Sequence, residues 1–194
     1  MAIVIGLTGG TGTGKSTVSA YLQTKAAQII DADRIARKLT EPGSSASAAI
    51  INAFPSVALP DGSFDRKALG ALVFSDFGAR DRLNSLVHPA VLQEIKRQLS
   101  ASQASLVVVD APLLFECGLD SLCHVTIGII ADRARRLERI TARDALSPAA
   151  ASARIKAQPE DDFYRSRCDY ILENNTDTND LYQKIDVILK ELAP

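Results

Sequence analysis

Short apolar runs alternate with longer amphipathic segments along most of the chain. The short runs predict five β-strands, at Ile3–Leu7, Gln28–Ile30, Leu106–Val109, Val125–Ile130 and Tyr170–Leu172. The amphipathic segments predict helices: one that starts at Lys15, one that opens after Ser147-Pro148, and Asp33–Leu39, Pro89–Leu99, Arg133–Arg143 and Asn179–Leu192. Because the strands are apolar at successive positions, we expect both of their faces to be covered. The alternation is typical of βαβ units around a central parallel sheet.

The alternation stops between Glu41 and Val87. Two groups of turn-forming residues, Pro42-Gly43-Ser44-Ser45 and Pro60-Asp61-Gly62, separate segments that have helical patterns and no obvious strand. The helical segments are Ala46–Ala53, Arg66–Phe74 and Asp76–Leu86. We therefore predict a helical insertion between the second and third strands.

The composition is that of an ordinary globular protein and narrows the choice of partners. The chain has 194 residues, 46% hydrophobic and 23% charged, and 22 basic against 23 acidic residues leave a net charge of −1. This balance provides no general attraction for nucleic acid or a membrane surface, so we expect neither as a partner. The first apolar run is too short for a signal peptide or a membrane span. Three cysteines without a disulfide framework favour a reducing compartment, and we predict a cytoplasmic protein.

A glycine-rich sequence follows the first predicted strand and opens the first predicted helix. Residues 9–16 read GGTGTGKS and fit the phosphate-loop (P-loop) pattern G-x-x-x-x-G-K-[ST]. In that pattern, backbone N–H groups turn inward around phosphate oxygens, and the helix N-terminus adds the positive end of its dipole. We expect Lys15 to bridge the β- and γ-phosphates of ATP and the Ser16 hydroxyl to ligate Mg²⁺. The predicted ATP contacts in this segment are Thr11, Gly12, Thr13, Gly14, Lys15, Ser16 and Thr17.

Carboxylates follow the second and third predicted strands, at the sheet edge where ligands bind in doubly wound folds. Asp31 and Asp33 flank an alanine after the second strand. Asp33 is either the general base that accepts the proton of an attacking hydroxyl or the N-cap of the next helix, and the two roles are compatible. Asp110 ends the third strand and is either a Mg²⁺ ligand, directly or through water, or another loop cap.

The predicted helix Arg133–Arg143 is rich in arginine. Arg136, Arg139 and Arg143 fall at positions i, i+3 and i+7, on one helical face. This face is either the phosphate-binding side of a mobile lid that excludes water or a solvated charged surface. Because phosphate charge near a P-loop needs neutralising, we favour the lid. Asn174, after the last predicted strand, either borders the adenine or makes a turn.

Together these residues resemble the dephospho-CoA kinase family over nearly the whole chain. The P-loop alone is shared by very many proteins, but the other matching motifs in this order are much more particular. The matching segments are Gly6–Gly10, Gly12–Thr17, Asp31-Ala32-Asp33, Asp61–Gly70, Leu86-Val87-His88-Pro89, Asp110–Glu116, Arg139, Arg143-Asp144, Gln158, Asp169-Tyr170-Ile171-Leu172 and Asn174. There are two departures: Arg136 stands where the family is expected to have Gln, and Cys168 where it often has Ala.

The resemblance implies an activity and a set of roles. The reaction is transfer of the ATP γ-phosphoryl group, with Mg²⁺, to the ribose 3′-hydroxyl of dephospho-CoA in coenzyme A biosynthesis. Asp33 is implied as the base, and Arg139 and Arg143 as phosphate contacts from the lid. With the P-loop lysine, the candidate catalytic residues are Asp33, Lys15 and Arg139, and the candidate ATP contacts outside the loop are Arg139, Arg143 and Asn174. The candidate acceptor contacts are Asp33, Leu69, Phe74, His88, Pro112, Leu113 and Glu116. The apolar residues of the insertion either form a groove for the acceptor or pack the insertion onto the core.

The expected fold is α/β: a three-layer P-loop NTPase fold with a central parallel five-stranded sheet, a helical substrate-binding insertion and a helical lid. We expect a single kinase domain, with a nucleotide-binding core at 1–40, 104–130 and 168–194. The acceptor-binding insertion is expected at 41–90 and the lid at 131–160. The alternatives are another small-molecule nucleoside or nucleotide kinase and, from a different class, a P-loop ATP-binding switch protein.

Overall fold

The computed structural model describes residues 2–192, and a five-stranded sheet organises them. The strands are β1 (Ile3–Gly9), β2 (Gln28–Asp31), β3 (Leu106–Asp110), β4 (Val125–Ile130) and β5 (Tyr170–Glu173), in the order β2-β3-β1-β4-β5. Strand β1 pairs in parallel with β3 and β4, and β4 pairs in parallel with β5. The five predicted strands and the parallel α/β fold are confirmed.

Helices lie in most of the connections between the strands, and one helix follows the last strand. They are α1 (Lys15–Thr24), α2 (Ala32–Leu39), α3 (Ser45–Ala53), α4 (Arg66–Ser75), α5 (Phe77–Ala101), α6 (Arg133–Asp144), α7 (Pro148–Lys156), α8 (Asp161–Arg165) and α9 (Thr178–Leu192). Two short 3-10 helices lie at Pro55–Val57 and Leu119–Leu122. In the part of the chain from 2 to 192, no helix combines the length and the apolar character needed to cross a membrane.

One face of the sheet is buried under α1 and α9. Ile5 and Leu7 of β1 and Ile127 and Ile129 of β4 form this core with apolar residues of the two helices, namely Val18, Leu22, Leu181, Ile185 and Ile188. These residues come from segments with the alternation expected for βαβ units. The apolar core therefore lies directly behind the end of β1, where the P-loop begins.

On the opposite face of the sheet, two glycines allow cysteine side chains to pack closely against the strands. A Cβ added at Gly6 would lie 2.8 Å from the Cys123 sulfur, and one at Gly128 would lie 2.8 Å from the Cys168 sulfur. Burial raises the pKa of both thiols to about 12, so they are protonated at neutral pH. Both cysteine side chains therefore have a packing role, and each fills the space next to a glycine of a strand.

The described residues divide into two compact units. One unit contains the chain up to Ile30 and from Ser102 onwards, and the other is Asp31–Ala101. The second unit is wider on both sides than the predicted insertion at 41–90. It has an apolar core of its own, which contains Ile50, Phe54, Val57, Phe64 and Leu69. An isolated antiparallel bridge joins Ala58 to Phe64 where only helices and turns were predicted.

Helix α5 corrects the prediction of two helices, Asp76–Leu86 and Pro89–Leu99. It is one continuous helix of 25 residues with Pro89 inside it, and Asp76 caps its start by accepting hydrogen bonds from the N–H groups of Gly78 and Ala79. A proline usually ends or kinks a helix, because it has no N–H to donate and clashes with the preceding turn. Here the packing of α5 against α2, α3 and α4 outweighs that local cost. His88 therefore lies within a helix rather than in a connection.

Helix α2 begins earlier than predicted, and Asp31 is its N-cap. The Asp31 side chain accepts a hydrogen bond from the Arg34 N–H at 2.9 Å. Asp33 lies inside the first turn, so the alternative in which Asp33 caps this helix is wrong. Helix α7 starts as predicted, because Ser147 accepts a hydrogen bond from the Ala150 N–H and Pro148 occupies the first helical position.

Candidate active site

The P-loop closes between β1 and α1 with backbone angles that suit glycine. Gly12 and Gly14 have φ of 77° and 98°, in the left-handed region that other residues rarely adopt. The loop is stabilised internally, since the Thr13 hydroxyl and N–H donate to the Gly10 carbonyl at 2.8 and 3.3 Å. Helix α1 starts immediately after Gly14, so the positive end of its dipole points into the loop. This combination is typical of an anion-binding site.

Lys15 is held by a buried carboxylate from the neighbouring strand. Strands β1 and β3 are paired so that Leu7 lies opposite Asp110, and Asp110 is 7% exposed. The Lys15 ammonium donates to Asp110 Oδ1 and forms an ion pair with it. The structure thus brings together two of the predicted site residues, one from the loop and one from the end of β3. Ser16 follows at the surface, on the first turn of α1.

Arg139 and Asn174 hold the outer side of the loop. Arg139 donates from Nη1 to the carbonyls of Gly12 and Thr13 at 3.3 and 3.4 Å, and from Nη2 to the Asn174 carbonyl at 3.1 Å. The Asn174 amide donates to the Thr13 carbonyl at 2.8 Å. A Cβ at Gly14 would lie 2.2 Å from that amide nitrogen, so only glycine fits there. Both side chains contact loop carbonyls, whereas a P-loop binds phosphate through its N–H groups.

Arg136 is the deeply buried arginine of the site. It is 5% exposed and donates from Nε to the Thr11 carbonyl at 3.0 Å. Its Nη2 donates to Gln158 Oε1 at 3.3 Å, and its Nη1 lies 3.6 Å from Asp161 Oδ1. Burial lowers the pKa of Arg136 and raises the pKa of Asp161, and their mutual attraction opposes both shifts. Arg136, Gln158 and Asp161 also line a cavity of about 360 Å³.

Arg143 is not part of this cluster. Its guanidinium forms two hydrogen bonds with Asp144, at 2.7 and 2.9 Å, and Arg154 of α7 binds the same carboxylate at 2.6 Å. Helices α6 and α7 share a small apolar core around Ile140 and Ile155. The predicted arginine face therefore divides: Arg136 and Arg139 reach the loop, whereas Arg143 pairs with Asp144 at the end of α6, and Arg154 links that carboxylate to α7.

The segment after β3 carries three of the candidate acceptor contacts. Leu114 is fully buried against Gly6, while Leu113 is 44% exposed. Glu116 is exposed and Pro112 is partly buried, with its carbonyl accepting a hydrogen bond from the Thr8 hydroxyl at 3.2 Å. Pro112 is thus tied to β1, and Leu113 and Glu116 are accessible to a ligand.

The remaining candidate acceptor residues lie in the second unit. Asp33 is exposed in the first turn of α2. Leu69 is 5% exposed within the unit's apolar core, whereas Phe74, at the other end of α4, is 69% exposed. His88 is partly buried, and that burial lowers its pKa. Leu69 therefore has a packing role in the second unit, whereas Phe74 remains a candidate contact with the acceptor.

Three parts of the site were missed or undervalued in the sequence. Gln158 was noted only in connection with the family resemblance, Arg136 was grouped with Arg139 and Arg143 as a phosphate-binding face rather than as a contact to the loop, and Asp161 was not singled out at all. The available signal was the position of Arg136 on the same helical face as Arg139. The short helix α8, which presents Asp161, has only five residues and is too short for a periodic pattern to reveal it.

Comparisons with known proteins agree with this geometry. The family model described as "CoaE: Dephospho-CoA kinase" matches residues 3–180. The dephospho-CoA kinase of Anaeromyxobacter dehalogenans is 44% identical over 193 residues, covering 97% of this chain and 92% of the relative. That of Saccharomyces cerevisiae is 39% identical over 201 residues, covering 99% of this chain and 83% of the relative.

A solved structure of dephospho-CoA kinase from Campylobacter jejuni superposes with a TM-score of 0.70 at 27% identity, covering 99% of this chain and 98% of that one. A shikimate kinase from Acinetobacter baumannii shares the fold, with a TM-score of 0.59 at 21% identity. The P-loop, the carboxylate at the end of β3 and the arginines of α6 thus lie in a chain matched almost end to end. The chain belongs to the dephospho-CoA kinase family.

Proposed function

We propose that this protein transfers the γ-phosphoryl group of ATP to the ribose 3′-hydroxyl of dephospho-CoA, giving coenzyme A and ADP. The observation that carries the proposal is the P-loop whose Lys15 is paired with buried Asp110, in a chain of this family. We further propose that the enzyme acts in the cytoplasm, with no nucleic acid or membrane partner.

The ATP side of the reaction rests on electrostatics. Inward N–H groups of the loop, the start of α1 and the Lys15 ammonium all favour the negative charge of the phosphates. Lys15 exchanges the Asp110 carboxylate for phosphate oxygens when ATP is bound. The charge that builds up in the transition state is then stabilised by groups already in position.

Mg²⁺ fits the residues at this end of the sheet. The cation prefers oxygen ligands and binds few protein groups alongside phosphates. Ser16 offers a hydroxyl at the start of α1, and Asp110 offers a largely buried carboxylate at the end of β3. These two residues would hold the ion, directly or through water, and the ion would neutralise phosphate charge.

Asp33 is the proposed general base. It accepts the proton of the 3′-hydroxyl as the oxygen forms its bond to the γ-phosphorus, while the bond from that phosphorus to the β–γ bridging oxygen breaks and ADP leaves. Capping by Asp31 supports this role, because helix α2 does not need Asp33 as its cap. The acceptor is proposed to contact Phe74, His88, Pro112, Leu113 and Glu116 as well.

The segment 131–160 is proposed to act as a lid. It contains α6 and α7, which pack on each other through their own apolar residues. For Arg139 and Arg143 to bind phosphate, each has to give up its present partners, the loop carbonyls and Asp144. We propose that this exchange accompanies closure, which excludes water as a competing acceptor.

The decisive assay measures ADP release with and without dephospho-CoA. We expect release to require the acceptor and Mg²⁺ and to be lost in Lys15→Ala. ATP binding without acceptor-dependent ADP release would instead favour an ATP-binding switch protein, and acceptor-independent hydrolysis would contradict the proposed transfer.

A further inference from the structure

We infer that Arg136 is a positioning residue that, together with Gln158, holds the apex of the P-loop in the shape that binds ATP. The inference rests on the proposed function in that ATP is the ligand. It concerns a group that contacts the loop rather than the reacting atoms.

Both backbone polar groups of Thr11 are bound by these two side chains. The Thr11 carbonyl accepts from Arg136 Nε at 3.0 Å, and the Thr11 N–H donates to Gln158 Oε1 at 2.6 Å. The same Gln158 oxygen accepts from Arg136 Nη2 at 3.3 Å. Arg136, Gln158 and Thr11 therefore form a closed ring of hydrogen bonds, which we call the loop anchor.

The loop needs an anchor because it is rich in glycine. Glycines lose more conformational freedom on ordering than other residues, and loop ordering on binding lowers affinity. Arg136 contacts the loop closely on both sides of Thr11. A Cβ at Gly10 would lie 2.6 Å from Arg136 Nη2, and one at Gly12 would lie 2.8 Å from the Arg136 carbonyl. The anchor thus orders this part of the loop before ATP arrives.

The anchor also limits which N–H groups bind phosphate. The Thr11 N–H is already donated to Gln158, so it is directed away from the phosphate site in this arrangement. The contact predicted from the sequence at Thr11 is then indirect, through the shape of the loop. Among the N–H groups that follow Thr11 in the loop, that of Thr13 donates to the Gly10 carbonyl, so the direct role falls to the others.

Asp161 makes a buried arginine tolerable at this position. A buried charge without a partner is strongly destabilising, and Asp161 lies 3.6 Å from Arg136 Nη1. The Asp161 side chain is 39% exposed and lines the cavity of about 360 Å³, so it keeps partial hydration. Asp161 therefore balances the charge of the anchor, while Arg136 and Gln158 make the contacts to the loop.

The test compares Arg136→Met with Arg135→Met. Arg135 is on the same helix, its side chain is 55% exposed, and its Nη1 lies 3.9 Å from Glu138 Oε2, so it is a matched control. We expect Arg136→Met to raise the Kd for ATP, measured by calorimetry without acceptor, by about tenfold or more, as for loss of a charged hydrogen bond. The KM for dephospho-CoA should stay within about twofold, as for an effect confined to ATP binding. Arg135→Met should match the wild type.

Gln158→Ala provides a second variant that buries no unpaired charge. We expect it to weaken ATP binding too and to speed hydrogen exchange of the Thr11 amide in the ATP-free protein, seen by NMR. A purely structural role of Arg136 would lower the melting temperature and leave the ATP Kd of the folded protein unchanged. Wild-type ATP affinity in Gln158→Ala, or in folded Arg136→Met, overturns the inference. Failure of the wild type itself to bind ATP would overturn the proposed function instead.

Discussion

Lys15 and Asp110 form an ion pair that, in the proposed mechanism, opens when ATP binds. In the structure the ammonium is bound to a carboxylate that is 7% exposed, and the Lys15 side chain itself is 18% exposed. We therefore expect a change at either residue to affect both catalysis and stability, and the two effects have to be measured separately.

We predict that Lys15→Ala abolishes most phosphoryl transfer and also destabilises the fold. Activity should fall by a factor on the order of a thousand, because the main cation on the transferred group is lost. Stability should fall by roughly 1–3 kcal/mol, because Asp110 is left buried without its partner. Chemical denaturation and steady-state kinetics measure the two effects.

The double variant Lys15→Ala/Asp110→Asn is the control. It removes the unpaired charge, so we expect it to recover much of the stability and none of the activity. Near wild-type turnover in Lys15→Ala would contradict the assignment of the loop.

Asp33 gives a second prediction at the residue scale. Because Asp31 is the N-cap of α2, Asp33→Asn should change stability by less than about 1 kcal/mol, the size of one cap. Activity should fall by a factor on the order of a hundred or more, the usual contribution of a general base. Turnover and melting temperature of purified Asp33→Asn measure both quantities.

Asp31→Ala serves as the comparison for capping. It should lower stability by about 1 kcal/mol, since it removes the acceptor for the Arg34 N–H. Full activity of Asp33→Asn would exclude Asp33 as the base.

Individual residues show how far sequence reasoning reaches. The place of the P-loop between a strand and a helix was predictable because it depends on a local sequence pattern, and the individual ATP contacts of the loop stay predictions. Whether Asp31 or Asp33 is the N-cap of α2 depends on the residue at which the helix begins, and a shift of one or two residues changes the answer. The loop anchor was not predictable from spacing, because Arg136 and Gln158 meet Thr11 only through the packing of the α6–α8 segment on the loop.

At the scale of the elements, helix α4 carries one residue with a packing role and one candidate contact with the acceptor. Leu69 is 5% exposed in the core of the second unit, and Phe74 on the same helix is 69% exposed. Leu69→Ala should therefore lower stability by about 2–4 kcal/mol, as for other large-to-small core changes. Kinetic constants of the folded fraction should change little.

Phe74→Ala should show the opposite behaviour. Stability should stay within about 0.5 kcal/mol, as for exposed positions, and the KM for dephospho-CoA should rise while that for ATP is unchanged. Unfolding curves and initial rates at varied acceptor concentration measure this pair of variants. An unchanged acceptor KM in Phe74→Ala would remove this residue from the proposed acceptor site.

The errors in the predicted helices have physical causes. The strands were found because continuous apolar runs reflect burial on both faces. Helix α5 was divided at Pro89 because the local cost of proline is visible in the sequence, whereas the packing of α5 on three other helices is not. Helix α8 is five residues long and carries no periodic signal.

For the whole molecule, the central claim is the identity of the acceptor. The P-loop and its Lys15–Asp110 pair account for ATP as donor, and they do not distinguish one hydroxyl acceptor from another. The acceptor follows from membership of the dephospho-CoA kinase family. A measurement that compares acceptors therefore tests the account more directly than any single variant.

The measurement is a panel of acceptors assayed for ATP-dependent phosphorylation, with the position of the new phosphate determined by NMR. The panel contains dephospho-CoA, adenosine, AMP, pantetheine, uridine and shikimate. We predict that dephospho-CoA has the highest kcat/KM by a wide margin and that its product carries phosphate on the ribose 3′-oxygen. A preference for adenosine, for uridine or for shikimate, or phosphate on another oxygen of dephospho-CoA, would contradict the proposed function.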